Sequence, residues 1–198
     1  DYQKSIMTKV IAFVIFCHVA ISPYKDLYLL DTPYNWREVL PFHMCDLSEI
    51  FLIFFLLGGP SILYKCAFFW GLAGATMAII TPDIAFLDLD YAFFMIGHGM
   101  IIVGIMYATI VLNNRPYAKD IITVSIITAL ILLPITYAIN LILGEPANFW
   151  YLMQKPAGAS LMDSFPEPPF HLLVTTPLAI LMFCLVYMPY FIKDIIKK

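Results

Sequence analysis

Charge is scarce in this sequence. Only 13% of its 198 residues are charged, where a soluble domain carries about 25%. A water-facing surface of ordinary area cannot be built from so few, which argues against a soluble enzyme. No nucleic-acid partner is expected of a chain with a net charge of -3. Cysteine is also sparse. The four cysteines, at 17, 45, 66 and 184, lie in or beside apolar blocks, so they do not form the framework of a small secreted domain. A cleavable signal peptide is missing: the first apolar run is followed by Cys17-His18 and then Ser22-Pro23-Tyr24, not by a small-residue cleavage site. There is no internal repeat and no low-complexity linker.

Apolar residues are abundant, at 62%, and they come in blocks. Six blocks, roughly 5–23, 39–57, 61–80, 91–112, 120–143 and 170–192, each approach the ~20 residues that cross ~30 Å of hydrocarbon as a helix. The strands of a membrane barrel are about half as long and alternate in polarity. The expected fold is therefore all-α, a single polytopic transmembrane bundle over 1–198 with six spans. Gly58-Gly59-Pro60, Thr81-Pro82-Asp83 and Asn113-Asn114-Arg115-Pro116 supply the breaks. Lys4, Lys9, Lys65, Arg115, Lys119, Lys193, Lys197 and Lys198 fall on one side of such a bundle, and Lys25, Arg37 and Lys155 on the other. The positive-inside rule then predicts cytoplasmic ends for this chain. Asp26, Asp31, Glu38, Asp83, Asp88, Asp90, Glu145, Asp163 and Glu167 fall in the outer loops.

The polar residues within the spans collect in the predicted outer half. His43, Cys45, Asp46 and Glu49 enter with the second span. His98 comes with the fourth, and, counted from the predicted helix starts at 39 and 91, Cys45 and His98 lie at matching depth, roughly 9–10 Å in. His18 and His171 read as packing or interfacial residues, and Cys17, Cys66 and Cys184 as small apolar fillers. Two carboxylates and a histidine within seven residues are expensive in hydrocarbon and mark a functional path. Three chemistries suit the set. Cys45 can be a nucleophile with His98 as its base. The carboxylates of Asp46 and Glu49 oppose a negative sulfur, which weighs against that use. His18, His43, Cys45, Asp46 and His98 match no compact metal signature, so no metal is expected. Asp46 and Glu49 could also line a proton or ion path.

Residues 144–169 form a long outer connection whose Phe149, Trp150 and Tyr151 suit the headgroup interface. They serve either as an aromatic anchor or as a lid, with Lys155 then facing a lipid phosphate; Asn148 or a backbone N–H near Cys45 is the candidate oxyanion donor.

Three segments together resemble a known family. LPFHMCDLSEI at 40–50, MIGHGM at 95–100 and ANFWYLMQKPAGASLMD at 147–163 resemble, in order, the motifs of the bacterial YwaF family of integral membrane proteins. That family is similar to human transmembrane protein 164, an acyltransferase that remodels glycerophospholipids. A more distant resemblance is to the androgen-induced membrane hydrolases of fatty-acid esters. The resemblance implies a cysteine–histidine pair, falling here on Cys45 and His98, with membrane lipids as partners and no cofactor. His43, Asp46 and Glu49 would support the pair, while Asn148, Trp150, Tyr151 and Lys155 would bind substrate. It also implies the bacterial cytoplasmic membrane as location, and a further hydrophobic segment before residue 1, giving seven spans. The expected activity is acyl transfer through a Cys45 thioester, or hydrolysis of a lipid ester at the same site. A small-solute transporter or its membrane-bound substrate-binding subunit is the rival reading, and a purely structural protein is a third.

Overall fold

The computed structural model describes residues 2–82, 87–156 and 161–196. Asp83, Lys197 and Lys198, used above for orientation, and Ser160 of the loop motif lie outside the described residues. Within them the structure is helical, and the chain divides into two compact units, 1–116 and 117–198.

The first unit holds four helices: α1 (Tyr2–Tyr28), α2 (Met44–Leu56), α3 (Ser61–Ile80) and α4 (Leu89–Ile110). Helix α3 is its centre. Tyr64, Ala67, Phe68, Phe69 and Trp70 are all buried there, and α3 packs against both α2 and α4, with α1 lying on α2 and α4. Lipid tails are as apolar as leucine, so these helices gain from close packing and interhelical hydrogen bonds rather than from leaving water. Two glycines allow the approach. A Cβ at Gly71 would fall 2.6 Å from side-chain carbons of Ile101 and Ile105, and one at Gly104 would meet Leu52 and Ile15. Hydrogen bonds join the helices elsewhere: Tyr107 Oη donates to the Lys4 carbonyl at 3.0 Å, and the Tyr64 and Thr109 hydroxyls lie 2.8 Å apart.

The second unit contains α5 (Ala118–Ile127), a π-helical turn (Thr128–Leu132) and α6 (Leu133–Leu143), which run on as one apolar stretch, and then α7 (Leu172–Ile196). The π turn precedes Pro134, whose missing N–H and ring disturb the preceding turn of any helix. Between α6 and α7 lie two short 3₁₀ turns, Phe149–Tyr151 and Leu161–Ser164.

Five of the six predicted spans appear as helices long and apolar enough to cross a membrane: α1, α3, α4, the α5–α6 stretch and α7. The second differs. Helix α2 has 13 residues, about 20 Å of rise against a hydrocarbon layer of ~30 Å. The reason is local. Pro41 disfavours helical geometry at Leu40. His43 is extended (φ -67°, ψ 159°) and caps the helix from outside it, its N–H donating to Asp46 Oδ2 at 2.9 Å. An Asp at the third helical position reaching back to the capping residue fixes the start at Met44 rather than at Val39. The far end is set by Gly58 at φ +103°, which closes the turn into Pro60 and α3.

Candidate functional site

The site lies in the first unit, where the start of α2 meets α1. The late start of α2 changes the setting of Cys45. It is the second residue of the helix rather than one of its second turn. The N–H groups of Met44, Cys45 and Asp46 have no carbonyl one turn back to bond, and the positive end of the helix dipole is concentrated on them. The His43 side chain accepts from the Asp46 N–H, completing the capping box, and the N–H groups of Met44 and Cys45 remain at the open end of the helix. His98 is the tenth residue of α4. The matching depth expected from starts at 39 and 91 does not carry over to helices that begin at 44 and 89.

A cavity of about 130 Å³ opens beside Cys45, lined by Val19, Ser22 and Pro23 of α1, by the 38–43 segment, and by Cys45, Asp46 and Glu49. Its volume is below the 300–1,000 Å³ of pockets that engulf a drug-sized ligand; it suits a reacting group rather than a whole lipid. Asp26 and Glu38 also line it.

Each polar residue of α2 has its own partner. Asp46 caps the helix through Oδ2, and its Oδ1 accepts a long hydrogen bond, 3.9 Å, from the Cys45 thiol. Glu49 is only 2% exposed. Its Oε2 is 3.2 Å from His18 Nδ1 with hydrogen-bonding geometry. Its Oε1 is as near, at 3.1 Å, but badly aligned, and so makes no hydrogen bond among the described residues. The other His18 nitrogen, Nε2, donates to the Phe93 carbonyl of α4 at 3.2 Å, and the ring lies over Gly97, where a Cβ would overlap it. His18, expected as packing, is thus the residue that joins α1, α2 and α4 at the site. The signal that could have found it was the absence of any other residue able to answer two buried carboxylates.

His98 follows Gly97 directly. Its Nδ1 donates to the Phe94 carbonyl at 2.8 Å and its ring rests on Phe94, centroids 4.2 Å apart. No hydrogen bond joins His98 to Cys45 among the described residues. The structure therefore brings His43, Cys45, Asp46 and Glu49 to one cavity, adds His18, and sets His98 one position along α4 from the glycine on which His18 rests. Among the described residues no group of three or more His, Cys, Asp and Glu is placed to hold a metal ion.

Above this, Lys25 is 2% exposed and pairs with both Asp26 and Asp90, with the Phe93 ring 5.6 Å from its Nζ. Sequence reading placed Lys25 in an outer loop. It is instead the last turn of α1, clasped to the start of α4, because helix α1 continues through Pro23 to Tyr28. Tyr34 Oη donates to Asp90 at 3.2 Å. Partial burial and the Asp90 charge push its phenol up to about 12, so it stays a donor at neutral pH.

The loop residues belong to the second unit. Asn148 Nδ2 donates to the Gln154 carbonyl at 2.9 Å, and its Oδ1 accepts from the N–H groups of Met153 and Gln154. Its amide is spent on closing the loop. Trp150 and Tyr151 sit at positive φ, 60° and 54°. Asn140 of α6, buried, donates to the Phe149 carbonyl and accepts from the Phe149 N–H. Lys155 donates to the Phe165 carbonyl at 2.7 Å and pairs with Glu167 at 2.9 Å. His171 is buried, and neither ring nitrogen has a hydrogen-bond partner among the described residues.

No curated protein and no solved structure matches the chain. A family model does, along residues 1–187, a stretch that contains all of these features; the chain belongs to the TMEM164 family.

Proposed function

We propose that this membrane protein is a lipid acyltransferase with Cys45 as nucleophile and His98 as general base. The observation that carries the reading is the place of Cys45: first turn of α2, at the positive end of the helix dipole, on the wall of a cavity. The helix end offers its dipole to the sulfur, and the Cys45 N–H is a candidate donor to the oxyanion of an attacked ester. Of the two oxyanion donors expected, the backbone N–H is kept, because the Asn148 amide closes its own loop. His98 supplies the base because its Nδ1 proton is fixed on the Phe94 carbonyl. In the neutral ring the lone pair is then on Nε2. Contacts between a nucleophile and its base commonly tighten only with substrate bound.

The chemistry balances without a cofactor. His98 takes the Cys45 proton, and the sulfur attacks the acyl ester carbonyl of a glycerophospholipid. The lysolipid alkoxide leaves with the proton from His98, and an acyl-thioester remains. A second lysolipid gives its hydroxyl proton to His98 and attacks the thioester, which releases Cys45 as thiolate for reprotonation. If water takes the place of the acceptor, the product is a free fatty acid and the same site is a hydrolase. Trp150, Tyr151 and Lys155 are assigned to holding the lipid at the interface, the acyl exchange to the outer leaflet, the chain ends to the cytoplasmic side and the host membrane to a bacterium.

The test is direct. Purified protein in lipid nanodiscs is given a phospholipid with a labelled acyl chain, and label bound to Cys45 is sought as a hydroxylamine-sensitive adduct. The adduct should disappear in Cys45→Ala, and in His98→Ala it should form at least ~100-fold more slowly, the usual range for a lost general base. Label that never reaches Cys45 rejects the reading in favour of a transporter, and label released only as free acid assigns a hydrolase.

A further inference from the structure

The proton count of the His18–Glu49 pair removes one of the two carboxylate charges that oppose a nucleophilic sulfur. His18 Nε2 faces a carbonyl oxygen, which only accepts, so Nε2 carries a proton. Nδ1 faces a carboxyl group at 3.1 and 3.2 Å. A lone pair facing a carboxylate at that distance is repulsive, so one further proton lies between them, on Nδ1 or on Glu49. Both arrangements give the pair two protons and a net charge of zero. Glu49 is one helical turn beyond Cys45 and acts on it electrostatically, together with Asp46.

We infer that His18 is a positioning residue for Cys45, acting through Glu49: by sharing one proton with the carboxyl group one turn below the sulfur, it keeps that group from carrying an unbalanced negative charge. Its position is built. The ring is held by the Phe93 carbonyl, stacks on the Phe93 ring at 5.9 Å, and has room only because residue 97 is glycine. The charged and titratable groups around it are Glu49 and Asp46 from α2 and His98 from α4. Asp46 is balanced differently, by the His43 N–H and by the start of its own helix. The role makes His18 necessary for Cys45 reactivity without any contact to substrate.

The inference rests on Cys45 as the nucleophile, but its test needs no lipid turnover. The rate of Cys45 alkylation by iodoacetamide is followed at pH 8 by peptide mass spectrometry on the full chain in nanodiscs. Cys17, Cys66 and Cys184 serve as internal references. His18→Gln keeps one amide donor and one acceptor of similar reach but cannot carry the extra proton. It should slow Cys45 alkylation about tenfold, the order expected for one uncompensated charge about a helical turn away in a half-screened site. In a Glu49→Gln background the effect should vanish, with His18→Gln/Glu49→Gln reacting within about twofold of Glu49→Gln alone. A merely structural His18 would slow alkylation in both backgrounds. That result, or a His18→Gln rate equal to the parent's, overturns the inference. Absence of acyl capture at Cys45 with this coupling intact rejects the acyl-transfer reading alone.

Discussion

Gly97 is the position where a single methyl group should separate packing from chemistry. A Cβ added there overlaps the His18 ring, while the same addition at Gly99, half a turn further along α4, meets nothing within 4 Å. To make room the ring must retreat by something near an ångström. Its contacts to Glu49 and Phe93 are 3.1–3.2 Å, already at the long end for N–H···O bonds, so a retreat of that size breaks both. Overpacking of this kind costs about 1–3 kcal/mol, partly offset by up to ~1 kcal/mol from replacing a helical glycine with alanine. For a chain of this size each kcal/mol moves Tm by about 2–4 °C. Gly97→Ala should therefore melt several degrees below the parent in detergent, and Gly99→Ala at or slightly above it. The same pair should divide in function: Gly97→Ala loses most Cys45 alkylation and acyl capture, while Gly99→Ala keeps both. Equal melting of the two variants, or unchanged Cys45 reactivity in a destabilised Gly97→Ala, would refute the account of how α1 and α4 meet.

Three further substitutions probe the frame around the site. Lys25→Ala removes the cation between Asp26 and Asp90 and strands two carboxylates in a largely buried place, so it should destabilise by about 3–5 kcal/mol; Asp26→Asn with Asp90→Asn in the same chain should recover part of the loss, both read by thermal unfolding. Asn140→Ala strips the Phe149 N–H and C=O of their partners at once and should cost about 2–4 kcal/mol, with faster amide exchange at Phe149 as the local readout. Lys155→Ala removes an ion pair whose Glu167 partner is 79% exposed. Stability should fall by less than about 1 kcal/mol, while proteolysis between the two 3₁₀ turns quickens.

The fold was legible where long apolar runs coincide with spans, because a bilayer demands length and apolarity before anything else. The breaks at Gly58-Gly59-Pro60 and Asn113-Asn114 were legible for the same reason. What failed was the start of α2. Hydropathy continues through Val39-Leu40-Pro41-Phe42, and only the capping relation between His43 and Asp46 shows that the helix begins later. From that one displacement follows the shift of Cys45 into the first turn of α2. The His18–Glu49 and Lys25–Asp90 pairs were illegible for a different cause. Their members are 31 and 65 residues apart, and no period along a single helix encodes which residue of another helix answers it.

The polar run of α2 divides into separate duties once these partners are known. Asp46 is required to start the helix. Glu49 is required to hold α1 through His18, and costs nothing in net charge while that partner is present. Cys45 carries no comparable structural duty. Its one hydrogen bond, at 3.9 Å, is long even for sulfur, and a serine or alanine there would cap and pack as well. The residue stands at the start of the helix, on a cavity wall, with no part in holding the helices together, which is the ground on which the proposed reaction assigns it the nucleophile. Cys45→Ala should accordingly leave Tm within about 1 °C of the parent, as expected of a partly exposed position where truncation opens no core cavity. It should at the same time abolish acyl capture. A large loss of stability in Cys45→Ala would return the residue to the fold and remove the ground for assigning it a reaction.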